Sequence, residues 1–183
     1  MKFELAGFIE ECRGLVTKPE SQSSISDLTE QAVSVQAAVL SELGEPTRGG
    51  LNTLYHAPDL TILNIVWAPG MTLHPHNHCM WAVIGIYGGE EENIFYRRDG
   101  SGLTQHGMKS LEAGNTVQLG EDIIHSVHNP REKLTGAIHV YGGDFFAAHR
   151  SEWMPDEYQE QPFSIEHTRA VFEEANKRMD SLV

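Results

Sequence analysis

The sequence predicts a mainly β protein, a barrel or sandwich of short strands with helices packed at both ends. Short apolar or β-branched runs (LTILNIVW, MWAVIGIY, NIFYRR, NTVQL, GAIHVY) recur between about residues 51 and 143. They alternate with the turn signals APG, YGG, RDGSG, EAGN and LGED, a spacing that suits an all-β sandwich or barrel. Residues ahead of this region, and the tail from Phe163, instead carry apolar side chains at helical intervals.

At the N-terminal end, Leu5, Phe8, Ile9, Cys12, Leu15 and Val16 share one helical stripe within residues 3–17. After the polar link KPESQSSIS, Asp27 and Glu30 have the spacing of a capping box. This predicts a second helix from there to Leu43, with Gly44 as its stop. In the tail, Ile165, Phe172, Ala175, Met179 and Leu182 form the corresponding stripe. A length of 183 residues predicts one domain, 1–183: a helical N-terminal part (1–44), a β core (51–152) and a C-terminal helix (163–183). No internal repeat and no low-complexity segment interrupts it.

Composition narrows the function. Thirteen basic residues against 26 acidic ones give a formal charge of −13. Such a surface repels phosphate backbones and offers no polybasic patch for anionic lipid, so neither nucleic acid nor membrane is expected as a partner. The opening MKFELAGFIE has acids inside its apolar stretch, unlike a signal peptide. No apolar run approaches the roughly 20 residues of a membrane helix. Two cysteines, Cys12 and Cys79, are too few for a disulfide framework. A cytoplasmic, reduced setting is expected.

The densest chemistry lies in LHPHNHCMW, residues 73–81, with His74, His76 and His78 at alternate positions. On a strand, alternate side chains share a face. Pro75 cannot donate to a sheet ladder, which favours His74 at the strand entrance and His76 and His78 inside it. An HxH pair joined by one distant histidine is the expectation from spacing. His125, with His128 beside it, and His139 are the candidates.

Gly70-x5-His76-x-His78, followed by His125-x3-Asn129, resembles the two cupin motifs of the thiol dioxygenases, the cysteine dioxygenase family. The likeness is closest to its bacterial 3-mercaptopropionate dioxygenase branch. It covers roughly residues 51 to 152, including VWAPG, HNHCMWAVIGIYGGE and HVYGG, with Arg150 beyond them. The resemblance implies the cupin double-stranded β-helix, a jelly-roll barrel. It also implies Fe(II) held by His76, His78 and His125, with His74 outside the ligand set. The reaction implied adds both atoms of O2 to the sulfur of a small carboxylated thiol, giving a sulfinate, with no reductant or organic cofactor. His139 and Tyr141 match a catalytic pair, and Arg150 matches a residue that binds the substrate carboxylate.

The match has departures. Ala137 stands where the family has the serine of a Ser-x-His-x-Tyr triad. Ala82 and Val83 stand where other cupins carry a ligand Glu, a loss the thiol dioxygenases share. Arg48 and Asn52 are out of register with the upstream residue that distinguishes the branches. Val83 occupies the position of the cysteine that mammalian-type enzymes crosslink to tyrosine. Cys79 should point away from the metal, so no crosslink is expected. Two other classes stay open: a cupin metalloenzyme of another kind (isomerase, decarboxylase or ring-cleaving dioxygenase), and a non-catalytic cupin that binds a small acid.

Overall fold

A computed structural model describes residues 3–100, 102–155 and 158–181; Leu182 of the tail stripe lies outside the described residues. Three helices come first, α1 (Leu5–Leu15), α2 (Ser21–Val33) and α3 (Gln36–Leu43). Eleven strands follow: β1 (Gly50–Ala57), β2 (Leu60–Trp67), β3 (Thr72–Asn77), β4 (Ala82–Gly88), β5 (Glu90–Asp99), β6 (Gly102–Glu112), β7 (Thr116–Leu119), β8 (Ile124–His128), β9 (Thr135–Tyr141), β10 (Ser151–Met154) and β11 (Gln159–Pro162). Helix α4 (Ile165–Asp180) ends the described chain.

The strands form two antiparallel sheets, ordered β1-β2-β9-β4-β7 and β11-β10-β3-β8-β5-β6. From β2 to β5 and again from β6 to β9, each successive strand crosses to the other sheet. That alternation is the winding of a cupin double-stranded β-helix.

The central strands of the first sheet, β2, β9 and β4, have no face in water. Along β2, Leu63, Ile65 and Trp67 join the cluster between the sheets, while Leu60 and Ile62 join a second cluster with Phe8, Ile25 and Val39 of the helices. β9 divides in the same way, with Ala137 and Tyr141 inward and Ile138 and Val140 against the helices. A strand covered on both faces reads as a continuous apolar run, as LTILNIVW does. In the second sheet β3 and β8 are buried along almost their whole length, while the edge strand β6 is largely exposed.

The N-terminal helices differ from the expected pair. α2 begins at Ser21, well ahead of Asp27, so the Asp27/Glu30 spacing falls inside a helix and caps nothing. Packing outweighs the local signal here. Ile25, Ser26 and Thr29 are buried, and Gln22 Nε2 donates to the carbonyls of Leu119 (2.9 Å) and Ala82 (3.2 Å). The helix also breaks before α3, where Ser34 Oγ donates to Gln31 O at 2.7 Å and Val35 leaves helical geometry.

Helix α4 is capped by Ser164, whose Oγ accepts from His167 N at 3.3 Å. Its buried Phe172 stacks on Trp67 with ring centroids 5.3 Å apart. Asn176 exchanges two hydrogen bonds with the backbone of Gly49 (2.8 and 3.0 Å), fixing the helix beside β1.

Gly136 on β9 lies directly under the buried ring of Tyr87, whose hydroxyl donates to Asn64 Oδ1 at 2.9 Å. A Cβ at Gly136 would fall 2.2 Å from that ring. Gly136→Ala is expected to lower the free energy of unfolding by about 1–3 kcal/mol, read as a lower midpoint with unchanged slope in urea titrations.

Candidate metal centre

His76, His78 and His125 are each almost fully buried, and their ligating ring atoms all lie within 4.8 Å of one another. His76 comes from β3, His78 from just beyond its end, and His125 from β8, whose backbone pairs with β3 at His76. The three-histidine group could therefore hold a metal ion, and it contains no carboxylate.

The alternation expected of residues 74–78 is corrected by a register slip in β3 between Leu73 and His76. His74 and His76 lie within the strand, and His78 lies past it. Pro75 sits inside the slip, where a missing N–H does least harm. The slip frees His74 from the shared face: its Nε2 contacts Glu152 Oε2 at 3.0 Å, while its carbonyl accepts from His76 Nδ1 at 3.0 Å.

The orientation of two rings follows from their partners. His76 Nδ1 donates to a carbonyl, so its Nε2 carries the lone pair when the ring is neutral. His125 Nδ1 donates to Asn93 Oδ1 at 2.7 Å, leaving Nε2 as the lone pair that faces His78 Nε2 at 3.4 Å. His78 Nδ1 is buried with no hydrogen-bond partner. Burial holds the His76 and His78 pKa values well below the usual imidazole value, and the nearby His125 adds to this. Burial brings His125 down to about 4, against a smaller upward pull from Glu91. Neutral imidazoles with convergent lone pairs are the donor set a divalent transition metal takes, so the residues fit a metal.

The rings border a small cavity of about 20 Å³, room for about one water-sized particle. His139 and Tyr141 also line it, with Phe145 and Phe163 among its apolar walls. Tyr141 Oη lies 3.1 Å from His139 Nδ1, and its ring packs edge-on to His78 at 5.0 Å. Burial pushes the Tyr141 phenol above its usual range, so it stays protonated. On the other side of His139, Nε2 faces Glu91 Oε2 at 3.6 Å, ion-pair range but long for a hydrogen bond.

Glu91 is absent from the sequence-based set. It is fully buried and accepts from Trp67 Nε1 at 2.6 Å and from Asn93 Nδ2 at 2.9 Å. Burial would raise its pKa, but His139 and Asn93 outweigh that and hold it below the ordinary carboxylate value. The signal in the sequence is slight: Glu91 and Asn93 alternate on one strand but sit within the acidic run EEEN.

Arg150 is buried but does not line the cavity. It lines an open groove outside it, and Phe163 is the wall common to both. Its guanidinium lies over the rings of Phe163 (3.4 Å) and Phe145 (4.2 Å). It donates to the carbonyls of Asn77 (3.2 Å) and Phe145 (3.3 Å). Among the described residues no carboxylate is within ion-pair distance of it, and burial lowers its pKa to about 10. Cys79 is exposed at φ 54°, and Val83 faces the helices, so neither thiol nor methyl group at these positions approaches Tyr141. His128 Nδ1 pairs with Thr72 Oγ1 at 2.9 Å, away from the cavity.

No model of a known protein family matches the chain. Solved structures do resemble it. An RmlC-like cupin with a double-stranded β-helix fold from Methanocaldococcus jannaschii is 15% identical, over 56% of this chain and 86% of its own, with a TM-score of 0.46. A cupin 2 conserved barrel domain protein from Leptotrichia buccalis is 20% identical, over 56% and 46%, with a TM-score of 0.44. These two structural neighbours are cupins. An oxalate oxidase in complex with the substrate analogue glycolate is also among them, 16% identical over 54% of this chain and 53% of its own, with a TM-score of 0.43. No helix among the described residues is long and apolar enough to cross a membrane.

The buried histidines predict an acid sensitivity. An unfolded histidine takes its proton near pH 6.5, whereas folded His125 resists until about 4. Between those values the unfolded chain holds the extra proton, so stability rises with pH, is complete above about 6.5 and is lost as pH falls toward 4. Urea titrations of the metal-free protein are expected to show a loss of about 2 kcal/mol between pH 7 and pH 5 from His125 alone. His76 and His78 act in the same direction. A flat profile over that range would count against neutral buried rings.

Proposed function

We propose that this protein is a non-haem iron thiol dioxygenase that converts a small carboxylated thiol and O2 into a sulfinate. The observation that carries the reading is a cluster of three buried histidines with no carboxylate in it, sharing one small cavity with the His139–Tyr141 pair. His76, His78 and His125 would hold Fe(II). Bound there, the ion supplies the redox chemistry that joins both oxygen atoms of O2 to a thiolate sulfur. The sulfur loses four electrons and O2 gains them, so the reaction needs no outside reductant. A ligand set without negative charge suits a substrate that brings its own as thiolate.

The chain's own groups do the rest. Apolar walls exclude water and strengthen every polar contact inside. Tyr141 is a protonated phenol at the cavity wall. When His139 Nδ1 donates to the phenol oxygen, the Tyr141 O–H is free to donate to charge that develops on the reactants. Arg150 has two donors committed to backbone carbonyls and the rest of its fork without an ion-pair partner. A buried arginine of this kind suits a carboxylate. Phe163 borders both groove and cavity, so a molecule that reached both Arg150 and the histidines would contact it.

Two measurements test the reading. His76→Ala, His78→Ala and His125→Ala are each expected to abolish iron retention, measured by elemental analysis after anaerobic loading and desalting, while His74→Ala retains it. Loss of iron in His74→Ala alone would overturn the ligand assignment. The loaded enzyme should consume O2 with 3-mercaptopropionate or cysteine and release the sulfinate. Iron retention with no turnover of any thiol would point to a different oxygenase, and failure to hold any metal would point to a binding module.

Arg150→Ala should lower kcat/KM for 3-mercaptopropionate by roughly 10- to 150-fold, equivalent to about 1.5–3 kcal/mol for a hydrogen bond to a charged group. Cysteamine, which has no carboxylate, should start slower and lose little, and iron content should not move. Equal losses for both thiols would assign Arg150 to support of the fold.

A further inference from the structure

We propose that Glu91 is a positioning residue that, through Asn93, fixes which nitrogen of His125 presents a lone pair to the metal. The inference rests on the reading that His76, His78 and His125 hold a metal. It concerns two side chains, Glu91 and Asn93, both fully buried on β5 and facing the barrel interior.

A carboxylate only accepts, and both oxygens of Glu91 are committed: Oε2 accepts from Trp67 Nε1 at 2.6 Å, and Oε1 accepts from Asn93 Nδ2 at 2.9 Å. The amide of Asn93 is thereby oriented, because its NH2 must face Glu91 and its Oδ1 must face away. That oxygen meets His125 Nδ1 at 2.7 Å and can only accept, so the proton of His125 sits on Nδ1. The lone pair is left on Nε2, which faces His78 Nε2 at 3.4 Å. The relay therefore ends at the point where the three rings converge. Outer partners that set the tautomer of a ligating histidine change metal affinity by about 10- to 100-fold. The same carboxylate faces His139 Nε2 at 3.6 Å, so it stands between the Asn93–His125 relay and the pair ending at Tyr141.

A single atom reverses the logic. In Glu91→Gln the new amide has one acceptor and one donor end. If its oxygen keeps the Trp67 N–H, its NH2 meets the NH2 of Asn93. Asn93 must then flip and offer a donor to His125 Nδ1. His125 is driven to carry its proton on Nε2, which removes the lone pair aimed at the metal. Adding Asn93→Asp repairs the relay. The new carboxylate accepts from the introduced amide NH2 with one oxygen and from His125 Nδ1 with the other, at the same net charge as the original pair.

Cobalt(II) binding to the metal-free protein tests this without catalysis, read by visible absorption and by competition with a chromophoric chelator. Glu91→Gln is expected to weaken Co(II) affinity by about 10- to 100-fold. The Glu91→Gln/Asn93→Asp double variant is expected to return to within about threefold of the unmodified protein, as coupled sites depart from additivity. A purely structural role for Glu91 predicts an affinity loss that follows a loss of stability in urea, so weakened affinity in a Glu91→Gln variant of unchanged stability separates the two. Unchanged affinity in Glu91→Gln overturns the proposal. So does a double variant that fails to fold or that binds no better than the single one. If Glu91→Gln alone does not fold, recovery of folding and affinity in the double variant supports it. Failure of the unmodified protein to bind Co(II), or equal binding by His125→Ala, removes the metal reading itself. Binding that is lost in His125→Ala but intact in Glu91→Gln removes only the role of Glu91.

Discussion

The exclusion of water from the barrel interior is the constraint on which the rest of this structure depends. The first sheet is covered by helices on one side and by the second sheet on the other, so side chains along β2 and β9 alternate between two dry compartments. An apolar residue gains from either. A polar residue there cannot turn to solvent, and leaving it unpaired costs more than a typical hydrogen bond contributes. His139, Tyr141, Glu91, Asn93 and His125 are all in this position. Their hydrogen bonds form two groups, Glu91–Asn93–His125 and His139–Tyr141, that meet at the longer 3.6 Å contact between Glu91 and His139. The same dryness that keeps the three rings neutral gives their lone pairs somewhere to point.

Much of this is legible in the sequence, for physical reasons. Strands β2, β4 and β9 announce themselves because they are covered on both faces and tolerate few polar interruptions. Strands β1, β6, β10 and β11 do not, since they lie at or near sheet edges, where polar side chains are tolerated and the period weakens. The start of α2 escapes a sequence reading because a local capping pattern competes poorly with the burial of Ile25 and Thr29 against β4.

The site divides along the same line. Histidine spacing points to a cluster, but strand alternation alone assigns all three of His74, His76 and His78 to one face. The slip at Pro75 separates them, and a slip is set by pairing with β8, which no local reading contains. Glu91 is hidden in plain view, since three consecutive glutamates at 90–92 read as a solvated surface. Only the inward face of β5 distinguishes the middle one. Arg150 is the converse case: its position in sequence suggests a place beside the histidines, and two phenyl rings hold it at the neighbouring groove.

The cavity is not enclosed by the barrel strands alone. Phe163 and Thr168, from the segment that leads into α4 and from its first turns, complete its wall. Any molecule or ion that contacts them is thermodynamically linked to the docking of that helix, and the linkage is reciprocal. Occupancy of the cavity tightens the tail against Trp67 and Gly49 by the same free energy with which a docked tail improves occupancy. The C-terminal helix is thus a thermodynamic partner of whatever the barrel holds.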